Sequence, residues 1–423
     1  MRKAIIYKFG GASVKNAQAI KNLSIILFNR LQAPMVIVVS AIGKTTNALE
    51  EIVEKRWKNE DYHEPLLTLR QTHLAICRDL FPQEDLIHGA IHNVFLNLQR
   101  ELEPSIDKDN YDEMYDRLIG YGELLSSKII QAYLCHEKLY CIWQDARELI
   151  LTDQSFRAAR VLWEDTNLAI QRQLLPKMKQ LPIVTQGFVG ASKSGKRTTL
   201  GREGSDFSAA IFASCLDARE VTIWKDVPGV LNADPKLFHD ALLFDELDYK
   251  EAAEMTYYGA SVIHPRTIKP LANKEIPLRV RSFVDQDLKG TLIHHIEGFH
   301  NHTPIYTVKK GQLLVTLEVT DFTFINQQQL LEVYQSLHRL GLRTNLLQTS
   351  AISISISMDD DRIKRERFLE EMSLHFKIRY NEGLQLVTVK HYREEAKAQF
   401  EAWGEIILEQ WTRSTMQLVI KAK

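Results

Sequence analysis

Ala4–Tyr7 and Met35–Val39 are short apolar runs rich in β-branched residues, each closed by glycine, proline or serine. They read as strands buried on both faces. Between them Ile20, Leu23, Ser24, Leu27 and Leu31 recur at helical spacing, which makes the segment a βαβ unit. Residues 45–136 are mostly helical by pattern, with a break at Leu102–Asp109. Further strands are expected at Leu139–Trp143, Leu181–Thr185, Glu220–Trp224 and Ile276–Val280, and a hairpin or flap at Gly187–Thr199 with Ser194-Gly195 at its tip. Phe207, Ala210, Ile211, Ser214 and Cys215 predict a helix, with Ser205 as its cap. Strand–helix alternation up to residue 295 therefore predicts a large α/β domain with a mainly parallel central sheet.

Gly, His, Asn and Pro cluster at Ile296–Pro304, the composition of a linker. Beyond it come strand Leu313–Val319, helix Gln328–Leu340, strands Leu342–Gln348 and Ala351–Met358, and helix Asp361–His375. Leu384–Val389, a helix over Glu394–Gln410 and strand Met416–Ile420 form a second, looser set. Two small βαβ-type modules in tandem are expected, repeated in pattern and not in residue identity. The expected domains are 1–295, a linker with a first strand at 296–312, and paired modules over 313–423.

Composition narrows the function classes. The 423 residues are too many for one ordinary core. Lys+Arg 53 against Asp+Glu 54 leaves no basic excess for nucleic acid and no polybasic run for a membrane surface. No apolar run approaches the ~20 residues of a membrane span. Cys77, Cys135, Cys141 and Cys215 have no C-x-x-C spacing, so they read as free thiols in a reducing cytosol. No signal-peptide core follows Met1, and a cytoplasmic location is expected.

The candidate chemistry lies in two glycine-rich loops that join a strand to a helix, Lys8-Phe-Gly-Gly-Ala-Ser13 and Thr199-Leu-Gly-Arg-Glu-Gly-Ser-Asp206. Small residues let backbone N–H groups approach an anion, and a helix N-terminus adds partial positive charge. Lys8 at a strand end suits stabilisation of a transferred phosphoryl group, with Gly10 and Gly11 amides on phosphate oxygens. The alternative is an ordinary turn with a solvated lysine. Arg202 suits a carboxylate grip. Asp206 either orders Lys8 and the nucleotide or merely complements the helix dipole. Glu123, in Gly120-Tyr-Gly-Glu123, opens a helix, as first-turn Glu commonly does. Ser40 and Thr45-Thr46-Asn47 either cap a helix or touch ligand. Asp226 sits at the carboxyl end of a strand, where α/β ligand sites open. His264 before Pro265 reads as a structural hydrogen-bonding residue.

Together these segments resemble aspartate kinase of the amino-acid kinase superfamily. Val39-Ser-Ala41, Asp226-Val-Pro-Gly229, Ala233-Asp-Pro235 and His264-Pro265 complete the match in the family's order. The resemblance spans the chain and is to the monofunctional form, without a homoserine dehydrogenase half. It implies a three-layer αβα kinase domain followed by two small α+β, ferredoxin-like ACT modules. The implied reaction is ATP-dependent phosphorylation of the L-aspartate side-chain carboxylate to 4-phospho-L-aspartate, the first step towards lysine, threonine and methionine. By the same resemblance Lys8 and Asp206 are catalytic, and Ser40, Thr46, Glu123, Arg202 and Ser205 hold aspartate. Gly10, Gly11, Ser13, Lys225, Asp226, Leu231, Lys236, Ser261 and Val262 face ATP, with Mg2+ carried by the nucleotide. Asn345 and Ser350 are effector candidates for lysine or threonine, in a homodimer joined through the ACT modules.

The sequence departs from the family at Ala12 and Glu203, where Thr and Gly are usual, and on the nucleotide side at Lys225, Leu231, Lys236 and Ser261. Opposite changes at 261 and 225 suggest that Lys225 returns the charge lost at Ser261. The usual Thr-Ser-Glu of the first ACT module reads Thr349-Ser350-Ala351, an altered effector pocket. Two other readings stand beside this one: a different phosphotransferase of the same fold, and a catalytically weak amino-acid sensor.

Overall fold

The computed structural model describes residues 3–422 except 32–33, 108, 261–262 and 322. β1 (Ile5–Phe9) and β2 (Met35–Val39) are buried at every position. They flank α1 (Ala17–Phe28), which Asn16 caps by accepting from the Ala19 N–H. A helical stretch follows: α2 (Thr45–Trp57), α3 (His63–Leu80), α4 (Ile87–Leu102), α5 (Tyr111–Ile119) and α6 (Tyr121–His136). Next come β3 (Ile142–Gln144) and β4 (Leu151–Thr152), then α7 (Trp163–Ala169), which runs through a π-helical turn into α8 (Leu175–Met178). β5 (Ile183–Gln186), β6 (Val189–Ser192), β7 (Arg197–Thr199), α9 (Gly204–Leu216) and β8 (Glu220–Lys225) precede β9 (Glu246–Asp248), α10 (Tyr249–Tyr258), α11 (Pro265–Ala272), β10 (Leu278–Ser282) and β11 (Thr291–His294).

The main sheet runs β3-β5-β2-β1-β8-β10-β11-β9, and every pair except β10–β11 is parallel. Period-two alternation sorts its central strands. Ile5, Tyr7 and Phe9, with Met35, Ile37 and Val39, join the core formed with the helices from α1 to α6. Ile6 and Lys8 point to the other face, where α9 packs on β1, β2 and β8. That gives the expected three layers. The Gly187–Thr199 segment carries the antiparallel β6–β7 hairpin, which a short β4 extends to three strands.

The C-terminal region differs from its expected pattern in two places. β12 (Ile305–Val319), α12 (Gln327–Leu340), β13 (Thr344–Thr349), β14 (Ser353–Asp359), α13 (Arg362–Ser373), β15 (Phe376–Lys390), α14 (Ala398–Glu401), β16 (Gly404–Trp411) and β17 (Thr415–Ala422) build one six-stranded sheet, ordered β13-β14-β12-β15-β17-β16. All its pairs are antiparallel. Helix α12 carries the chain from β12 past β14 to β13, so the two strands joined by the crossover never pair, and the modules share one sheet. The helix expected over Glu394–Gln410 ends at Glu401. Gly404 then lets the Lys421 carbonyl approach to 2.0 Å from where a Cβ would stand, and the apolar run after it pairs with β17.

Two compact units divide the chain: Met1–Val230 with Leu243–Ala253 and Val262–Glu297, and Leu231–Leu242 with Glu254–Ser261 and Gly298–Lys423. Two short segments numbered inside the expected 1–295 span thus group with the C-terminal unit. In that unit, Leu313, Val315, Leu317, Ile354, Ile356 and Phe368 centre one core. Val387, Val389, Phe400, Met416 and Leu418 centre another. Among the described residues no helix is long and apolar enough to cross a membrane.

Candidate active site

The register of β1 on β8 pairs Lys8 with Ile223 and Phe9 with Trp224. Lys225, two residues past Ile223, therefore shares the face of Lys8. Asp206, in the first turn of α9, lies between them. Lys8 Nζ is ion-paired with Asp206 Oδ1, and Lys225 Nζ is 3.2 Å from Oδ2. Lys8 and Asp206 are both buried. Burial pushes the Asp206 carboxyl up, but the pull of Lys8 and Lys225 outweighs it and holds the group below the usual carboxylate range.

The glycines set how closely the loops approach. A Cβ on Gly11 would stand 3.1 Å from the carbonyl oxygens of both Ala41 and Gly43, and one on Gly10 3.6 Å from Lys8 Nζ. Gly122 brings α6 so near β2 that its Cβ would meet that of Ala41 at 3.0 Å. This approach seats Glu123, whose Oε1 accepts from the Ala41 N–H at 3.3 Å. Its Oε2 is buried without a hydrogen-bond partner. Burial pushes its carboxyl up to about 8, against the backbone hydrogen bonds and the Lys8 charge.

One cleft of about 510 Å³ is lined by Ser40, Thr46, Glu123, Arg202 and Ser205, the whole expected aspartate set, together with Gly11. Residues the sequence did not single out complete its wall: Glu50, Tyr115, Arg157 and Phe188. The Arg157 guanidinium stacks 4.5 Å over the Tyr115 ring. Its backbone N–H reaches both oxygens of Asp116 at 3.0 and 2.9 Å. Asp116 also accepts from the Thr199 N–H and hydroxyl, at 2.8 and 2.6 Å. It ties α5 to the Arg157 loop and to the end of β7. Burial pushes its carboxyl up to about 6, against those hydrogen bonds.

The sequence profile of the amino acid kinase family matches residues 3–282. Lysine-sensitive aspartokinase 3 of Escherichia coli is 31% identical over 401 residues, 92% of this chain and 87% of that protein. The chain belongs to the aspartokinases of the amino acid kinase family. Arabidopsis thaliana aspartokinase 1 is 31% identical over 87% of the chain, which spans 65% of it. A bifunctional aspartokinase/homoserine dehydrogenase of the same plant is 34% identical over 68% of the chain, which covers 32% of that longer protein. Among solved structures, E. coli aspartokinase III in complex with aspartate and ADP superposes with a TM-score of 0.84 at 27% identity, covering 99% of this chain and 96% of that one. The same enzyme in complex with lysine and aspartate gives 0.80 over the same coverage.

Other expected residues of this aspartokinase-family chain are placed differently from one another. The Ser13 hydroxyl, expected at phosphates, is buried and donates to the Trp224 carbonyl at 3.1 Å. Ser205 does not cap α9. Glu203 occupies the cap position, in the left-handed region at φ 54, and no side chain caps the helix. Thr45 bonds the Ile42 carbonyl at 2.6 Å, which leaves Thr46 to the cleft. His264 caps α11 by accepting from the Arg266 N–H at 3.2 Å. Asp226 is exposed beyond β8. Leu231 and Lys236 fall in the segment that groups with the C-terminal unit, where the Lys236 N–H donates to Asp234 at 2.9 Å. Ser261 and Val262 lie outside the described residues. In the C-terminal unit, Asn345 sits at a bulge of β13. Its amide donates to Gln312 and Asp359 at 2.8 and 2.9 Å, and its oxygen accepts from Lys309 Nζ at 2.8 Å. Ser350 lies in the exposed turn before β14, bonded to Ser353.

Proposed function

We propose that the protein transfers the γ-phosphoryl group of ATP to the side-chain carboxylate of L-aspartate, giving 4-phospho-L-aspartate. The observation that carries this reading is the Lys8–Asp206–Lys225 cluster together with a cleft whose wall bears Arg202, Glu123, Ser40, Thr46 and Ser205. A carboxylate with an ordinary pKa near 3.9 is already ionised at neutral pH, so the acceptor needs no general base. The reaction needs two anions held together and the charge on the transferred group neutralised. Lys8 supplies that charge, and Asp206 fixes its ammonium. The amides of Gly10 and Gly11 face the phosphates, with Lys225 and Asp226 on the nucleotide side. Glu123 Oε2 takes the substrate ammonium, Arg202 takes the α-carboxylate, and Arg157 adds a second guanidinium at the same wall. Mg2+ arrives on the nucleotide, because the Asp206 carboxylate is already held by two lysines and offers no ready ligand.

The C-terminal unit is the regulatory half in this reading, with lysine or threonine as effector and a homodimer as the working state in the cytoplasm. ATP-dependent formation of aspartyl hydroxamate, with hydroxylamine trapping the acyl phosphate, tests the assignment. Signal with L-aspartate and not with glutamate, N-acetylglutamate or UMP supports it. Signal with one of the others in place of aspartate replaces the substrate. Amino-acid binding by the folded protein without turnover of any acid moves the sensor reading forward.

A further inference from the structure

Helix α3 carries a titratable side chain that the phosphoryl chemistry does not use. His73 is fully buried, edge-on to the Phe95 ring at 5.6 Å. Its Nδ1 lies 2.9 Å from the Leu69 carbonyl one turn earlier. A carbonyl has no proton to give, so Nδ1 carries the ring proton. Burial pushes the imidazole down, against that hydrogen bond, and the neutral ring keeps a lone pair at Nε2. The Thr45 hydroxyl faces it at 3.3 Å. Thr45 opens α2 and is itself buried. Its hydroxyl also reaches the Ile42 carbonyl at 2.6 Å, which the Thr45 N–H already bonds at 3.0 Å. The hydroxyl is thus held between two acceptors. The methyl of the same side chain packs on α6, where a Cβ on Gly122 would meet Thr45 Cγ2 at 3.3 Å. One side chain therefore sets the turn at 41–46 against both α3 and α6. That turn supplies the Ala41 N–H that Glu123 accepts, and it puts Gly43 and Thr46 on the cleft wall.

We propose that His73 is a positioning residue for the amino-acid side of the cleft: through the Thr45 hydroxyl it fixes the turn that seats Thr46 and Glu123. It touches no substrate itself. Without the link the Thr45 side chain is free to rotate, and a shift of the turn on the order of 1 Å misplaces two contacts to the amino acid. The Lys8–Asp206 pair is held by its own contact and stands outside the link. The aspartate contacts rest on the phosphotransferase reading given above; the hydrogen bond from α3 to α2 does not.

Hydroxamate kinetics, ADP titration and 15N imidazole spectra of the full chain test the link. His73→Ala and Thr45→Val should each raise the aspartate KM about fivefold, the worth of one hydrogen bond. The value of kcat should fall less than about threefold and ADP affinity less than about twofold. Combining the two changes should leave KM within about twofold of either alone, because both break the same contact. His73→Gln, whose amide can meet the hydroxyl, should bring KM back to within about twofold of the native value. An unchanged KM with a lowered melting temperature would make His73 a packing residue only and overturn the proposal, as would additive effects or a Gln variant no better than Ala. Should His73→Ala not fold, Thr45→Val decides by itself: a raised KM with unaltered ADP affinity supports the link, and an unaltered KM removes it. The spectra need no substrate. They should show His73 neutral at pH 7 with its proton on Nδ1, and Thr45→Val should move its Nε2 signal. A moved signal in a protein that turns over no aspartate would refute the substrate and leave the hydrogen bond, whereas turnover with an unmoved signal would remove the link alone.

Discussion

Two buried charges carry most of the residue-scale chemistry, and their environments push them in opposite directions. Asp206 has two cationic partners and stays ionised; Glu123 has backbone donors alone and is pushed to about 8 by burial. The Glu123 shift has a definite sign. Below its ordinary value of 4.5 both folded and unfolded chains hold the proton. From there up to about 8 only the unfolded chain releases it, so stability falls as pH rises through that window. Glu123→Gln should therefore raise the melting temperature at pH 7, by an amount worth up to about 3 kcal/mol, while raising the KM for aspartate. In the native protein the substrate ammonium favours the ionised form, so the aspartate KM should fall as pH rises from 6 to 8. A Gln variant whose stability advantage over the native protein is no greater at pH 7 than at pH 4 would contradict the first expectation, and a flat KM profile the second. Lys8→Met leaves Asp206 paired with Lys225. It should lower kcat about 100- to 1,000-fold, the range for losing one stabiliser of developing charge, with a small change in the aspartate KM. Steady-state kinetics separate the two parameters.

At the scale of elements, the N-terminus of α9 is held by close packing. A Cβ on Gly187 would fall 2.6 Å from the Ser205 Cβ and 2.8 Å from its Cα. Next to it the Phe188 N–H donates to the Ser208 hydroxyl at 2.9 Å. Because the close atoms belong to a helix backbone, Gly187→Ala must displace the turn that carries Ser205 and Asp206. The expected result is a protein of unchanged helix content, by far-UV circular dichroism, whose kcat/KM for aspartate drops at least about tenfold from a displacement on the order of 1 Å. Full activity would mean that α9 yields without cost. The π-helical turn between α7 and α8 belongs to the same scale: Pro176 follows it and has no N–H to offer the carbonyl of Arg172 four residues before.

The chain divides into a unit that carries the cleft and a β-rich unit with its own cores. In the latter, Asn345 is already engaged by Lys309, Gln312 and Asp359. An amino-acid effector that used its oxygen would have to displace the Lys309 ammonium. Lysine or threonine should therefore inhibit the native protein weakly, and Lys309→Met should lower the inhibitory concentration of one of them severalfold in the hydroxamate assay. Equal sensitivity of the two proteins would place the effector elsewhere. Light scattering should return twice the chain mass; a monomer would remove the proposed homodimer.

How much of this the chain announced follows from the range of the forces involved. The apolar runs of β1, β2, β5 and β8, the helical spacing of α1 and α12, and the two glycine loops are local, and each was readable from a few neighbouring residues. The aspartate set of the cleft wall came from the family resemblance and not from local pattern, which left Ser40 and Thr46 as possible caps, and Glu50, Tyr115, Arg157 and Phe188 went unread. What tertiary structure alone decided is non-local. The sheet order placed β8 against β1 and so brought Lys225 to Asp206, when the sequence suggested that it faced ATP and compensated for Ser261. Asp116 recruited Arg157, 41 residues away. Pairing with β17 turned the C-terminal part of an expected helix into β16, because a half-buried apolar run takes the geometry of the partner that covers it. The left-handed turn at Glu203, and not Ser205, began α9. Local pattern fixed which segments could be strands, helices and loops; burial and charge pairing across the fold fixed which of their side chains face one another.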